Sequence, residues 1–192
     1  MARGSVVVRD AEAADAAALV HIWEQVAGSV RSSLAPTSAG DAGRAILRLD
    51  TDPSERLLVA EVDDVPVGVV HLRRQPLSPI HDEDAVHVSS LHVLGDHRRR
   101  GVGSALLTAA VDWAEEKDTD HLVASVAASA RDSNRFLARL GMGQVAVVRA
   151  TTTAGLRARL VALTVKANGA TTSPASNVVA VRRLMRRSRA TS

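Results

Sequence analysis

Residues 89–117, SSLHVLGDHRRRGVGSALLTAAVDWAEEK, decide how the rest of the chain is read. They open on a short apolar run, Leu91-His92-Val93-Leu94, that reads as a strand. A polar corner follows at Gly95-Asp96-His97. Then come Arg98, Arg99 and Arg100, and the pair Gly101-Val102-Gly103. An amphipathic segment starts at once, with Leu106, Leu107, Ala110, Val111, Trp113 and Ala114 at helical spacing. The order is strand, basic glycine-rich turn, helix. The first amides of a helix lack intrahelical partners, and the helix dipole places positive charge there. Glycines let an anion approach the bare backbone, and arginines add charge and forked donors. The pattern predicts a phosphate or pyrophosphate site. The blander reading is a capped helix with solvated arginines. Against it, three consecutive arginines at a helix start oppose the dipole unless an anion compensates.

Other phosphate-binding signatures are excluded. GxxxxGK[ST] is absent, and in a GxGxxG frame begun at Gly101 and Gly103 the third small position falls on the bulky Leu106. What remains, Arg98-x-x-Gly101-x-Gly103, resembles the [RQ]xxGx[GA] signature of the GNAT superfamily of N-acetyltransferases. Residues 91–97 resemble that family's LxVxPxx lead-in, with Gly95 where proline is common. The resemblance covers about residues 5–150. It implies that Arg98, Arg99, Arg100, Gly101, Val102, Gly103 and Ser104 bind the pyrophosphate of acetyl-CoA. It also implies that the backbone around Leu91, His92 and Val93 pairs with the pantetheine amides. The side chains of Leu91 and Val93 read as core.

Working outward, residues 5–9 read as a first strand and residues 12–26 as a helix with Leu19, Ile22, Trp23 and Val26 on one face. Residues 27–40 are small and polar and read as a loop; residues 41–49 read as a second helix. Strands follow at 56–62 and 65–73, joined by a turn at Asp63-Asp64. The pair is similar to the family's second and third strands. Residues 75–85, with two prolines, read as an irregular link to the strand at 86–94. Beyond the long helix come a strand at 121–126, a helix at 130–140 capped at Gly141, a strand at 144–149 and helical spacing over 154–166. Residues 168–177 read as a linker.

The alternation predicts an α/β fold with a mixed sheet covered by helices. The resemblance sharpens this to a mostly antiparallel mixed sheet flanked by helices, with parallel strands at 86–94 and 121–126 splayed at the cofactor site. A domain of residues 1–150 and a basic, partly helical extension of residues 151–192 are expected.

Composition bounds the function. Apolar residues make up 46% of the chain, with two Trp, one Phe and no Tyr, so the core is built of Ala, Val and Leu. There is no cysteine, so disulfides and thiolate metal sites are excluded. The scattered histidines lack ligand spacing, and no metal is expected. No signal peptide or membrane-length apolar run is evident, which suits a cytoplasmic protein. Nine of the 24 Lys and Arg and none of the 21 Asp and Glu lie beyond residue 148. The first 148 residues therefore carry −6 and the remainder +9. The tail's Arg182, Arg183, Arg186, Arg187 and Arg189 read as a solvated segment or a helix packed on a second copy in a homodimer. Nucleic-acid binding by the tail lacks aromatic support.

Residues 130–142, ARDSNRFLARLGM, resemble the family's second motif, Asn-x-x-Ala-x-x-Phe-Tyr-x-x-x-Gly-Phe. Phe136 and Arg139-Leu140-Gly141 match. Ala130 stands for the asparagine and Leu137 for the tyrosine that often protonates the departing thiolate. A thiol with a pKa of about 8.5 leaves tolerably without that acid; Ser133 or water is the substitute. Asn134 is read either as a CoA contact or as a cap of the short helix. Many relatives carry a basic Glu on the strand before the turn; this strand has none. Strand alternation places His87, Ser89 and Leu91 on one face and Ser90 and His92 on the other. A histidine has a suitable pKa near about 6.5. His87 is the first candidate base, with Ser89 relaying water, and His92 the second. Both also read as polar positions on a half-buried strand. His71 and His81 are placed to line an acceptor site.

The implied activity is transfer of acetyl from acetyl-CoA to a primary amine, of a small molecule or a protein, by direct attack in a ternary complex. The alternatives are a non-catalytic acyl-CoA-binding module whose basic tail engages a partner, and a DNA-binding protein led by that tail.

Overall fold

The computed structural model describes residues 5–27, 38–80, 82–146, 149 and 151–170. Its frame is a five-stranded sheet in the order β1-β2-β3-β4-β5. The strands are β1 Val6–Asp10, β2 Glu55–Val62, β3 Val65–Pro76, β4 Asp84–Val93 and β5 His121–Ala124. The first four pair antiparallel and β5 runs parallel to β4. The helices are α1 Ala16–Ala27, α2 Ala39–Asp50, α3 Val102–Glu116, α4 Arg131–Arg139 and α5 Thr153–Ala170. The chain divides into two compact units, Met1–Gly143 and Gln144–Ser192.

Local chemistry explains most elements. Ser38 caps α2, its hydroxyl accepting from the Asp41 amide at 3.1 Å. Asp63 and Asp64 both have positive φ, 53° and 61°, the left-handed pair that a two-residue hairpin requires. The β3–β4 hairpin is longer than expected. Its ladder runs through Gln75 and Ala85 to Pro76 and Asp84, and the Leu77 amide donates to the Glu83 carbonyl at 2.9 Å. The irregular link is correspondingly shorter. Pro76 closes the ladder, where a missing N–H costs nothing.

The sheet has a core on each face. On one side α3 packs Val102, Leu106, Ala110 and Trp113 onto Val70, Leu72, Val86 and Val88. On the other, Leu19 and Ile22 of α1 and Ala42 and Ile46 of α2 cover Val59 and Val69. Val111 is 40% exposed and leaves the expected α3 stripe. β1 is tied to the start of α1 by charge. The Arg9 guanidinium forks onto both oxygens of the buried Asp15, at 2.7 and 2.8 Å, and also binds Glu61. That fork holds the Asp15 carboxyl below its usual range.

Among the described residues of the expected strand at 144–149, none is in a strand, and residues 147 and 148 lie outside the described residues. Residues 144–146 and 149 are in no ladder, and they belong to the second unit. α5 extends to Ala170, three residues into the expected linker. Residues 171–192, with the tail arginines, lie outside the described residues, as do most of the expected 27–40 loop and His81. Among the described residues, no helix is long and apolar enough to cross a membrane.

Candidate functional site

The site forms where β4 parts from β5. The parallel ladder holds four residue pairs, from Ala85 with His121 to Val88 with Ala124. The Ser125 amide adds one bond to the Val88 carbonyl at 2.9 Å. β4 continues for five more residues, to Val93, without a β5 partner. An open backbone edge thus faces the widening gap.

β4 also changes face inside that gap. Val69 pairs with His92 and His71 with Ser89, so Ser90 and Leu91 together oppose the single Val70. This is a β-bulge, and Ser90 carries φ 51°. The extra residue resets the alternation, which corrects the expectation that His92 lies opposite His87. Directly paired residues share a face. His87 opposes Arg73, Ser89 opposes His71 and His92 opposes Val69, so all three stand toward α1 and α2. Leu91 and Val93 turn to the α3 side, where they pack on the core.

The histidines differ in their surroundings. The His92 ring meets the Trp23 ring edge-on, with centroids 5.6 Å apart. Burial lowers the His92 pKa, a bond to the Leu91 backbone opposes this, and the charge of Arg98 adds to the lowering. His87 is lowered by burial, and its buried Nε2 has no hydrogen-bond partner among the described residues. His71 is bonded at both nitrogens: Nδ1 lies 3.1 Å from Ser89 Oγ and Nε2 2.8 Å from Glu55 Oε2. Arg73 holds the other Glu55 oxygen at 2.7 Å. Sequence reasoning missed Glu55. It reaches His71 only across the β2–β3 register, in which Glu55 opposes Arg73 and Leu57 opposes His71.

β4 leads through Leu94 and a 3-10 turn, Gly95–His97, to the arginines. Arg98 donates from Nε to the Val93 carbonyl at 3.1 Å, bracing the corner. Arg99 turns the chain at φ 59° and Gly101 at φ 92°. Gly101 is the N-cap of α3, has no side chain to cap it, and precedes a first turn without acidic residues. The amides of Val102, Gly103 and Ser104 therefore have no helical acceptor. Arg98, Arg99 and Arg100 are exposed, and none has an ion-pair partner among the described residues. Gly103 packs under Phe136: a Cβ there would lie 3.5 Å from the ring. Leu137 is buried in the core. The Asn134 side chain donates to the Ala127 and Ala130 carbonyls at 3.0 and 2.9 Å, stapling the loop before α4. Among the described residues, no group of three or more His, Asp or Glu side chains could hold a metal.

An antiparallel body, a parallel strand parting from a bulged β4, and a helix launched from the gap define the acetyltransferase class of α/β fold. The chain matches the family model for the acetyltransferase (GNAT) family over residues 19–142, and it belongs to that family. No curated protein matches it. Similar solved structures include a transcriptional regulator from Bacillus halodurans C-125, with TM-score 0.67 and 20% identity, covering 77% of this chain and 99% of that one. An aminoglycoside N-acetyltransferase in complex with CoA has TM-score 0.64 at 14% identity, over 78% and 95% of the two chains. The ribosomal-protein-alanine N-acetyltransferase from Brucella melitensis biovar Abortus 2308 has TM-score 0.60 at 23% identity, over 77% and 100%.

Proposed function

We propose that this chain is an acetyl-CoA-dependent N-acetyltransferase that acetylates a primary amine by direct attack in a ternary complex. One observation carries the reading: three arginines without ion-pair partners among the described residues and an uncapped helix N-terminus meet beyond the open end of β4. Positive charge concentrated so is stabilised by a multiply charged anion, and a pyrophosphate fits that demand. In this reading the backbone from Arg98 to Ser104 and the three guanidinium groups hold the pyrophosphate. The open β4 edge at Leu91, His92 and Val93 pairs with the pantetheine amides. Asn134 keeps the neighbouring loop in place.

Acetyl-CoA supplies a thioester carbonyl as the electrophile. The chain's task is to orient the amine, strip its proton and exclude water. The amine approaches from the α1 and α2 side, where Ser89, His87 and His92 stand. Both histidines favour the neutral form, so either can accept a proton near neutral pH. With no tyrosine in the chain, the thiolate departs unaided or takes a proton from water.

The paired variant R99A/R100A tests the pyrophosphate assignment, because neither side chain has an ion-pair partner among the described residues. A charge-assisted hydrogen bond is worth about 1.5–3 kcal/mol, so each loss should weaken CoA binding roughly tenfold or more. The melting temperature should not move. Unchanged CoA affinity by calorimetry would remove the reading's foundation. Release of free thiol from acetyl-CoA across a panel of amines tests turnover. CoA binding with no turnover on any amine would favour a non-catalytic acyl-CoA-binding module.

A further inference from the structure

We infer that Ser89, His71 and Glu55 form a proton relay that takes the acceptor's proton away from the reacting centre. The inference rests on the amine-acetyltransferase reading above. A carboxylate only accepts hydrogen bonds, so the 2.8 Å contact with Glu55 Oε2 requires a proton on His71 Nε2. In the neutral ring Nδ1 is then bare and accepts. Its partner at 3.1 Å, Ser89 Oγ, donates to it in preference to the His71 carbonyl, which the same hydroxyl reaches only at 3.5 Å. The chain of bonds has one direction: Ser89 to His71 to Glu55. It leaves the lone pairs of Ser89 Oγ free to receive a proton from outside.

Position supports this use. Val88 is the last β4 residue paired with β5, and Ser89 is the next. The hydroxyl therefore stands where the gap opens, beside the bulge at Ser90. From there the relay runs across β3 to the start of β2. Glu55 is fixed from its other side by Arg73 at 2.7 Å, and its side chain is only 10% exposed. Neither neighbouring histidine has this support. Across from His87 stands the cation Arg73, and His92 feels the charge of Arg98. His71 instead faces a carboxylate, which takes its Nε2–H and fixes the tautomer of the ring.

The step balances. The acceptor's ammonium N–H bond breaks as its proton joins Ser89 Oγ. The Ser89 O–H bond breaks as that proton joins His71 Nδ1. Ser89 stays neutral, His71 becomes an imidazolium against Glu55, and the freed amine lone pair attacks. The proton returns to water after the product leaves. Ser89 is the catalytic residue, touching the acceptor; His71 and Glu55 are positioning residues.

The variants S89A, S89T, H71Q and E55Q test the relay on an amine that the wild type acetylates, from a panel of a diamine, an aminoglycoside and an alanine-terminated peptide. General-base help is worth about 10²–10⁴-fold. S89A, H71Q and E55Q should lower kcat by roughly 10²-fold or more, with KM for acetyl-CoA unchanged, and S89A should also keep the wild-type melting temperature. S89T, which keeps the hydroxyl, should recover most of the rate. Wild-type turnover with kcat intact in S89A or H71Q overturns the relay and leaves the acetyltransferase reading standing. Failure of the wild type on every amine sinks that reading instead. The relay is then judged by nitrogen-15 spectra of the histidine rings, assigned with H71Q. A neutral His71 protonated at Nε2 supports it, and one protonated at Nδ1 overturns it.

Discussion

His92 and His87 show how one extra residue changes the chemistry of a strand. Simple alternation separates them; the bulge at Ser90 brings them to one face. Nothing in the composition of VHVSSLHV marks a bulge, because the register against β3 is set by pairing that the strand's own residues do not contain. Both rings favour the neutral form, His92 and His87 chiefly through burial. The folded chain therefore binds fewer protons at these sites than the unfolded chain, between their lowered values and about 6.5. Stability must rise with pH through that window and fall on acidification. Urea midpoints should drop between about pH 7.5 and about pH 5.5, and H92Q should flatten the drop. A slope unchanged in both H92Q and H87Q would mean that neither ring is held neutral by the fold.

At the scale of elements, α3 is the piece the sequence reveals best. Its start is marked by Arg98-x-x-Gly101-x-Gly103, its buried stripe by Leu106, Ala110 and Trp113, and the glycine at its N-cap has φ 92°. The hairpin turn at Asp63-Asp64 was equally legible, since two adjacent acids tolerate left-handed backbone. The expected strand at 144–149 was not, because an apolar run of four, Val145 to Val148, cannot show whether a neighbouring edge is there to receive it. The closeness of α3 to the sheet was also hidden. It depends on Gly68, where a Cβ would lie 2.9 Å from Val102 Cγ1, 3.2 Å from the His92 carbonyl oxygen and 3.3 Å from Leu106 Cδ1. The Val102 side chain is β-branched and stiff, and the carbonyl belongs to β4, so neither yields freely. G68A should cost about 1–3 kcal/mol by overpacking and should also weaken CoA binding, because the helix start moves away from the gap. Thermal melting and calorimetry on the same variant check both effects. Full stability in G68A would show that α3 has slack against β3.

For the whole molecule, the charge division after residue 148 and the division into two compact units fall close together in the chain. The first unit owns the sheet and both of its cores. Leu106 is 0% exposed at the centre of the larger one. The second unit holds α5, whose apolar residues look outward: Leu156 is 48% exposed, Leu160 54% and Leu163 63%. Hydrophobic stabilisation scales with area removed from water, so equal truncations in the two units should have unequal costs. L106A leaves a cavity that the packed sheet cannot close and should cost about 2–5 kcal/mol. L156A removes a half-exposed side chain and should stay within about 0.5 kcal/mol. Urea unfolding of the full chain, followed by tryptophan fluorescence, measures both, since Trp113 lies in the core with Leu106. A loss in L156A matching that in L106A would mean that Leu156 is buried in solution.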